Sequence, residues 1–233
     1  AMLDRLEKSF TQATRFSADA SHELKTPLAR LQAELEQALA NAPTDSPQQE
    51  MCSSTLDEVS RLKAIVQKLL LLSLADAGRL ELHREPVNLT RMLEGIVEDC
   101  RLQAPHLTVE QALAPDVGLQ ADAQLLEQAL QNLATNAVKY NHKGGKIRFE
   151  LSKDADRAIV RVANTGPGIS EADRERIFER FYRADKSRSA RVEGAGLGLS
   201  LAREILRAHG GELNLVQTSE EWTEFAAGLP LAT

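Results

Sequence analysis

Apolar residues in the first third of the chain recur at the spacing of an α-helix, and this period constrains the fold more than any other feature. From Leu3 to Asn41 they fall at Leu3, Leu6, Phe10, Ala13, Ala20, Leu24, Leu28, Leu31, Leu35 and Leu39. At about 100° per residue, Ala20, Leu24, Leu28, Leu31 and Leu35 lie within roughly 40° of one line, so the helix carries one stripe to bury. Asn41-Ala-Pro-Thr-Asp-Ser-Pro47 then breaks it with prolines and turn formers. A second stripe follows in Met51, Leu56, Val59, Leu62, Val66, Leu69 and Leu72, ending near Ala77-Gly78. Two long helices joined by a short turn make a hairpin. One hairpin has too little partner surface for both stripes, so a four-helix bundle built with a second copy is expected.

His22 interrupts this ordinary pattern. It stands next to Glu23 and one turn before Thr26, and on the helical wheel His22 and Thr26 lie roughly 160° from Leu24, on the solvent side. Pro27 removes a backbone hydrogen bond one turn further on and should loosen the helix there. By itself a lone exposed histidine reads as a solvated surface residue, and only the rest of the sequence overturns that.

Composition narrows the class. The chain has 233 residues, 42% hydrophobic and 27% charged, which suits two modest soluble domains. A net charge of −6 speaks against general nucleic-acid binding. Cys52 and Cys100 match no metal or redox spacing, and the histidines at 22, 83, 106, 142 and 209 form no ligand cluster. A reducing, cytoplasmic setting is therefore expected. The leucine run from Leu69 to Leu74 is too short to cross a bilayer. Ala1-Met2, followed at once by helical sequence, reads as a cut, so a membrane-bound parent protein is expected.

Beyond Gly78 the period changes. A linker from Arg79 leads to a helix at about Thr90–Gln103, short strands near Leu107–Gln111 and Leu119–Ala121, and a helix from Ala123 to Tyr140. Strands at Lys146–Ser152 and Arg157–Ala163 alternate with period two. After a Gly- and Arg-rich stretch come a helix at Leu199–His209 and strands near Glu212–Gln217 and Thr223–Leu229. This order predicts an α+β sandwich, a mixed sheet with helices on one face.

Three motifs in this region converge on one kind of ligand. In Gln131-Asn-Leu-Ala-Thr-Asn-Ala-Val-Lys-Tyr140, the residues Asn132, Asn136 and Lys139 follow i, i+4, i+7 spacing beside the buried stripe of Leu126, Leu130, Leu133 and Ala137. Asparagine oxygens suit a hard cation such as Mg²⁺, and a lysine neutralises phosphate; a solvated amphipathic border fits the same spacing. Asn164-Thr-Gly-Pro-Gly-Ile169 follows a strand, where glycines allow close backbone approach or a tight turn. Gly194-Ala-Gly-Leu-Gly-Leu-Ser200 opens a helix whose free N–H groups suit phosphate. Between them, Phe178-Glu-Arg-Phe-Tyr-Arg183 with Lys186, Arg188 and Arg191 fits a basic lid over a polyphosphate, or a solvated charge run.

In this order the motifs resemble those of the sensor histidine kinases of two-component signalling, over nearly the whole chain. Ser21 to Pro27 resembles the family's H box, Asn132 to Tyr140 its N box, Asn164 to Ile169 its G1 box, Phe178 to Tyr182 its F box and Gly194 to Leu199 its G2 box. The resemblance divides the chain into the end of a HAMP-like signalling helix (1–10), a dimerisation and histidine phosphotransfer domain (11–78), a linker (79–87) and a catalytic domain of the Bergerat ATP-binding fold (88–233). It implies a homodimer that uses ATP and Mg²⁺ to phosphorylate His22 and passes the phosphoryl group to an aspartate of a response regulator.

Glu23 would polarise His22 and act as general base, and Thr26 would orient water for dephosphorylating the regulator. Asn136 would hold Mg²⁺ with Asn132 assisting, while Lys139 and Arg183 would carry phosphate charge. Tyr140 would flank the nucleotide, Gly166 and Gly168 would shape the adenine pocket, and Gly194, Gly196, Leu197 and Gly198 the lid and phosphate contact.

Asn164 departs from the family, which usually has aspartate accepting a hydrogen bond from the adenine amino group. Its amide oxygen accepts without charge assistance, so weaker or less adenine-selective binding is expected, and Asn164→Asp should tighten ATP. Two other readings share parts of the pattern. A dimeric scaffold binding nucleotide only for its conformation would not need His22 and Glu23, and an ATPase of the gyrase, chaperone or mismatch-repair type would not need the first eighty residues.

Overall fold

The computed structural model describes residues 23–24, 26–184, 194–219 and 221–231. His22, residues 1–10 and the lid cations Lys186, Arg188 and Arg191 lie outside them. The chain divides into two compact units, Ala1–Leu80 and Glu81–Thr233.

The first unit is the expected hairpin. Helix α1 runs through residues 26–41, and α2 spans Pro47–Asp76. Ser46 starts α2 by accepting a hydrogen bond from the Gln49 N–H, with Pro47 at the first helical position, where its missing N–H costs nothing. Lys63 Nζ donates to Gln32 Oε1 at 2.9 Å and ties the helices together. Within a single chain Leu24, Leu31, Met51 and Leu62 remain 42–63% exposed, so one hairpin does leave apolar surface uncovered. No helix among the described residues is long and apolar enough to cross a membrane.

The second unit begins where a linker was expected, and part of that segment forms a strand. β1 (Glu85–Asn88) pairs antiparallel with β3 (Gly118–Ala121) in a two-stranded sheet. Glu-Pro-Val-Asn has one large apolar residue and a proline, so it carries no alternation to read; a proline is tolerated in a strand with a single neighbour. Asn88 then caps α3 (Leu89–Gln103) by accepting from Arg91 N.

The main sheet has the order β2-β4-β5-β7-β6: β2 (Thr108–Leu113), β4 (Lys146–Asp154), β5 (Arg157–Thr165), β7 (Trp222–Pro230) and β6 (Glu212–Thr218). β2 runs parallel to β4 and the other pairs are antiparallel. Alternation sorts the two faces. Ile147, Phe149 and Leu151 of β4 face the same side as Val160 and Val162 of β5 and Phe225, Ala227 and Leu229 of β7, all buried. That side packs on α3, α4 (Ala123–Lys139) and α5 (Gly198–Ala208).

The opposite face carries ion pairs, Arg161–Glu224 at 2.7 Å and Arg157–Glu212 at 2.6 Å among them. At the end of the sheet Asn164 closes the buried row of β5, in register with Ile147 and Thr223. Thr165 pairs with Trp222, whose ring lies 5.3 Å from the Arg148 guanidinium. The expected sandwich with helices on one face is what forms.

Candidate functional site

Helix α4 exists because Asp122 caps it and Leu126, Ala129, Leu130, Leu133, Ala134 and Ala137 give it a continuous buried face. The Asp122 carboxylate accepts from Leu125 N at 3.0 Å and from His83 N at 3.1 Å. Its backbone N–H donates to His209 Nε2 at 3.1 Å, while His209 Nδ1 pairs with Ile205 O at 2.8 Å. His209 thus joins the end of α5 to the start of α4. Neither residue belongs to a motif.

The functional face of α4 follows from its helical period. Asn132 and Asn136 are half-buried beside the core stripe, and Lys139 is exposed. Asn132 Nδ2 is buried and has no hydrogen-bond partner among the described residues. Leaving such a donor unpaired costs about 1–3 kcal/mol, and the neighbouring Gln131 Oε1 is buried and unpartnered as well. The Asn132 side chain lies against the start of α5: a β-carbon on Gly198 would sit 3.5 Å from Asn132 Oδ1. Leu197, the N-cap of α5, provides no side-chain cap, so the first-turn N–H groups are available to an anion.

The glycine loop gathers cations as well as N–H groups. Arg183 Nη1 donates to Gly194 O at 3.1 Å, and a β-carbon on Gly194 would lie 3.5 Å from Lys139 Nζ. Gly196, at φ 70°, sits so close to the Phe181 backbone that a β-carbon would come within 2.8 Å of its carbonyl carbon. Phe181 N donates to Gly196 O at 2.9 Å, so the segment ending near Phe181 and the glycine loop are joined main chain to main chain.

The preceding segment is itself anchored. Phe178 meets Phe225 edge to face, with ring centres 6.2 Å apart, and Arg203 stacks over Phe178 at 4.9 Å. The Tyr182 hydroxyl bonds Asp173. The Ser170 and Tyr182 hydroxyls hold the Asp173 carboxyl below the usual carboxylate range, and the Asp173 bond pushes the Tyr182 phenol up.

Asn164 stands beside the C-terminal end of α4. It is buried, and its Nδ2 donates to Thr165 O at 2.9 Å and Tyr140 O at 3.4 Å. Gly166 is buried beside it, and a β-carbon there would collide with the Tyr140 carbonyl oxygen. Gly168 and Tyr140 are exposed.

The structure therefore brings Asn132, Lys139, Arg183, Gly194 and Gly198 around the glycine loop, and Tyr140, Asn164 and Gly166 together beside the last turn of α4. Glu23 and Thr26 are exposed helical positions of the first unit. Sequence reasoning missed Asn141 and Thr165, which bond each other across the end of α4 and β5. The one signal at Asn141 was its turn composition.

Two family models match. One, described as a histidine kinase-, DNA gyrase B- and HSP90-like ATPase, covers residues 121–233, and the other, a His Kinase A (phospho-acceptor) domain, covers 12–78. Among curated proteins the chain is 36% identical over 220 residues to the probable sensor protein PcoS of Escherichia coli, covering 94% of this chain and 47% of that protein. It is 31% identical over 230 residues to the sensor histidine kinase CusS of Escherichia coli O157:H7, covering 98% of this chain and 48% of the relative. The chain thus spans about half the length of the curated relatives it matches. Among solved structures, full-length ShkA in complex with AMPPNP superposes with a TM-score of 0.81 at 29% identity, over 94% of this chain and 46% of ShkA.

Fold and site together define a phosphoacceptor helical hairpin joined to an ATPase domain. The chain belongs to the sensor histidine kinases of two-component signalling.

Proposed function

We propose that this chain is the catalytic part of a dimeric histidine kinase that phosphorylates His22 with ATP and passes the phosphoryl group to an aspartate of a response regulator. One observation carries the reading: Lys139, Arg183 and the buried, unpartnered Nδ2 of Asn132 lie around the glycine loop that opens α5. A buried donor, two cations and a free helix N-terminus suit a polyphosphate far better than a neutral ligand.

Asn136 would supply an oxygen to Mg²⁺, whose other ligands would come from the phosphates and water. Among the described residues no group of His, Cys, Asp or Glu rivals it as a metal site. Mg²⁺ would offset negative charge as the γ-phosphoryl group leaves. His22 attacks as the neutral imidazole, the only form with a ring lone pair to offer. Glu23 polarises it and accepts its proton. Thr26, exposed one turn along, orients water for the reverse dephosphorylation of the regulator. The exposed Leu24 and Leu31 would be covered by the second protomer of the dimer. In the whole protein the kinase lies in the cytoplasm behind a membrane sensor.

Incubation with Mg²⁺ and γ-labelled ATP tests the proposal. Wild type should acquire acid-labile, base-stable label, and His22→Ala should acquire none while still binding ATP. Label persisting on His22→Ala would refute the assignment of the acceptor.

A further inference from the structure

Residues 181–183 meet the glycine loop at three successive points. Phe181 N donates to Gly196 O at 2.9 Å. The Tyr182 carbonyl oxygen stands 2.9 Å from where a β-carbon on Gly196 would lie, and Arg183 Nη1 donates to Gly194 O at 3.1 Å. The Tyr182 side chain is tied to a different segment. Its hydroxyl donates to Asp173, nine residues back in the short 3₁₀ turn Glu171–Asp173, and the Arg176 guanidinium lies 4.1 Å from its ring centre. Asp173 belongs to none of the motifs.

The Asp173 carboxylate is itself fixed. Its Oδ2 accepts from Ser170 Oγ at 2.6 Å, and its backbone N–H donates to Ser170 O at 3.0 Å. One residue earlier, Ile169 N donates to Thr218 Oγ1 at 2.7 Å, on the last residue of β6. The main sheet therefore holds the turn, the turn holds Asp173, and Asp173 holds Tyr182. The lowered Asp173 carboxyl and the raised Tyr182 phenol keep the acceptor charged and the donor protonated at neutral pH, the stronger form of such a bond.

Phe181 shows why a hold is needed. Its φ of 59° is left-handed, a conformation that a bulky residue keeps only where its neighbours impose it. The bond from Phe181 N to Gly196 O fixes one side of that residue, and the Tyr182 hydroxyl fixes the other. With the hydroxyl gone, Phe181 is free to relax towards negative φ, and the Arg183 guanidinium swings with the change.

We propose that Asp173 is a positioning residue that acts through the Tyr182 hydroxyl to hold Arg183 at the glycine loop, in place for the phosphates of the nucleotide. The inference rests on the phosphate-binding reading of that loop given above.

The test is calorimetric titration of ATP with Mg²⁺ into the full chain, in a mutant cycle. Tyr182→Phe, which keeps the ring, and Asp173→Ala should each weaken ATP by roughly tenfold, as misplacing a charged contact does. Asp173→Asn should recover most of that loss, because its amide oxygen still accepts the Tyr182 hydroxyl and its amide nitrogen can donate to Ser170 Oγ. Arg183→Ala should weaken ATP at least as much as Tyr182→Phe. Adding Tyr182→Phe to Arg183→Ala should then cost little more, since the residue it positions is already gone. A turn that merely steadies the domain would cost the same in both backgrounds.

Equal losses in the two backgrounds overturn the inference and leave nucleotide binding intact. So does undiminished ATP affinity in both Tyr182→Phe and Asp173→Ala. Wild-type affinity in Arg183→Ala overturns it together with the phosphate role of Arg183. A wild type that binds no ATP overturns this inference and the nucleotide reading together. Tyr182→Phe removes a single oxygen and carries the test even where Asp173→Ala fails to fold.

Discussion

Gly166 contributes to the site through what it lacks. A β-carbon there would strike the Tyr140 carbonyl oxygen, and a main-chain atom cannot rotate out of the way as a side-chain tip would. Gly166→Ala must therefore part the end of β5 from the end of α4, which shifts Asn164 as well. ATP affinity is expected to fall by roughly tenfold or more with the fold retained, as displacing a positioned contact does; calorimetry with circular dichroism checks both. At this scale the sequence is a good guide where function follows from local period. Asn132, Asn136 and Lys139 fall on one line because a helix repeats, and the glycines of 194–198 stand at a helix start. It is a poor guide where function follows from contact. Asn141 and Thr165 are 24 residues apart in sequence, and nothing in either neighbourhood announces that they bond.

Helices α4 and α5 are fastened to each other through one capping residue. The Asp122 carboxylate serves both the first turn of α4 and the incoming His83, while its N–H serves His209 at the end of α5. Asp122→Ala removes two accepted hydrogen bonds at a nearly buried site and is expected to cost about 2 kcal/mol, the upper end for a helix cap. Asp122→Asn, also a good cap, should recover much of it; urea unfolding of the two variants measures the difference. Element identity was readable for α3, α4, α5 and the long strands because each shows a clear period. β1 was not, since four residues with a proline and one large apolar side chain carry no period at all. Its strand character comes from β3, some thirty residues later in the chain.

For the molecule as a whole, the hairpin leaves an apolar stripe exposed that the catalytic unit's own core does not show. Leu24 is 48% exposed in the single chain, on the line the sequence assigns to burial. Leu24→Asp would set a charge inside a dimeric bundle and is expected to yield monomers, with ATP binding unchanged because the residues proposed to hold nucleotide belong to the other unit. Light scattering that still reports a stable dimer would contradict the bundle. The division into two units was legible from the change of period beyond Gly78, and the sheet's strand order was not, because register is settled by tertiary packing.

The pairing of Thr165 with Trp222 has a practical corollary. Trp222 is the chain's one tryptophan, and it sits on the strand beside the residue that follows Asn164. With a guanidinium over its ring, its emission responds to small shifts in local polarity and geometry. The protein thus carries its one tryptophan at the same end of the sheet as Asn164, and its emission is expected to change when ATP is titrated into unlabelled material.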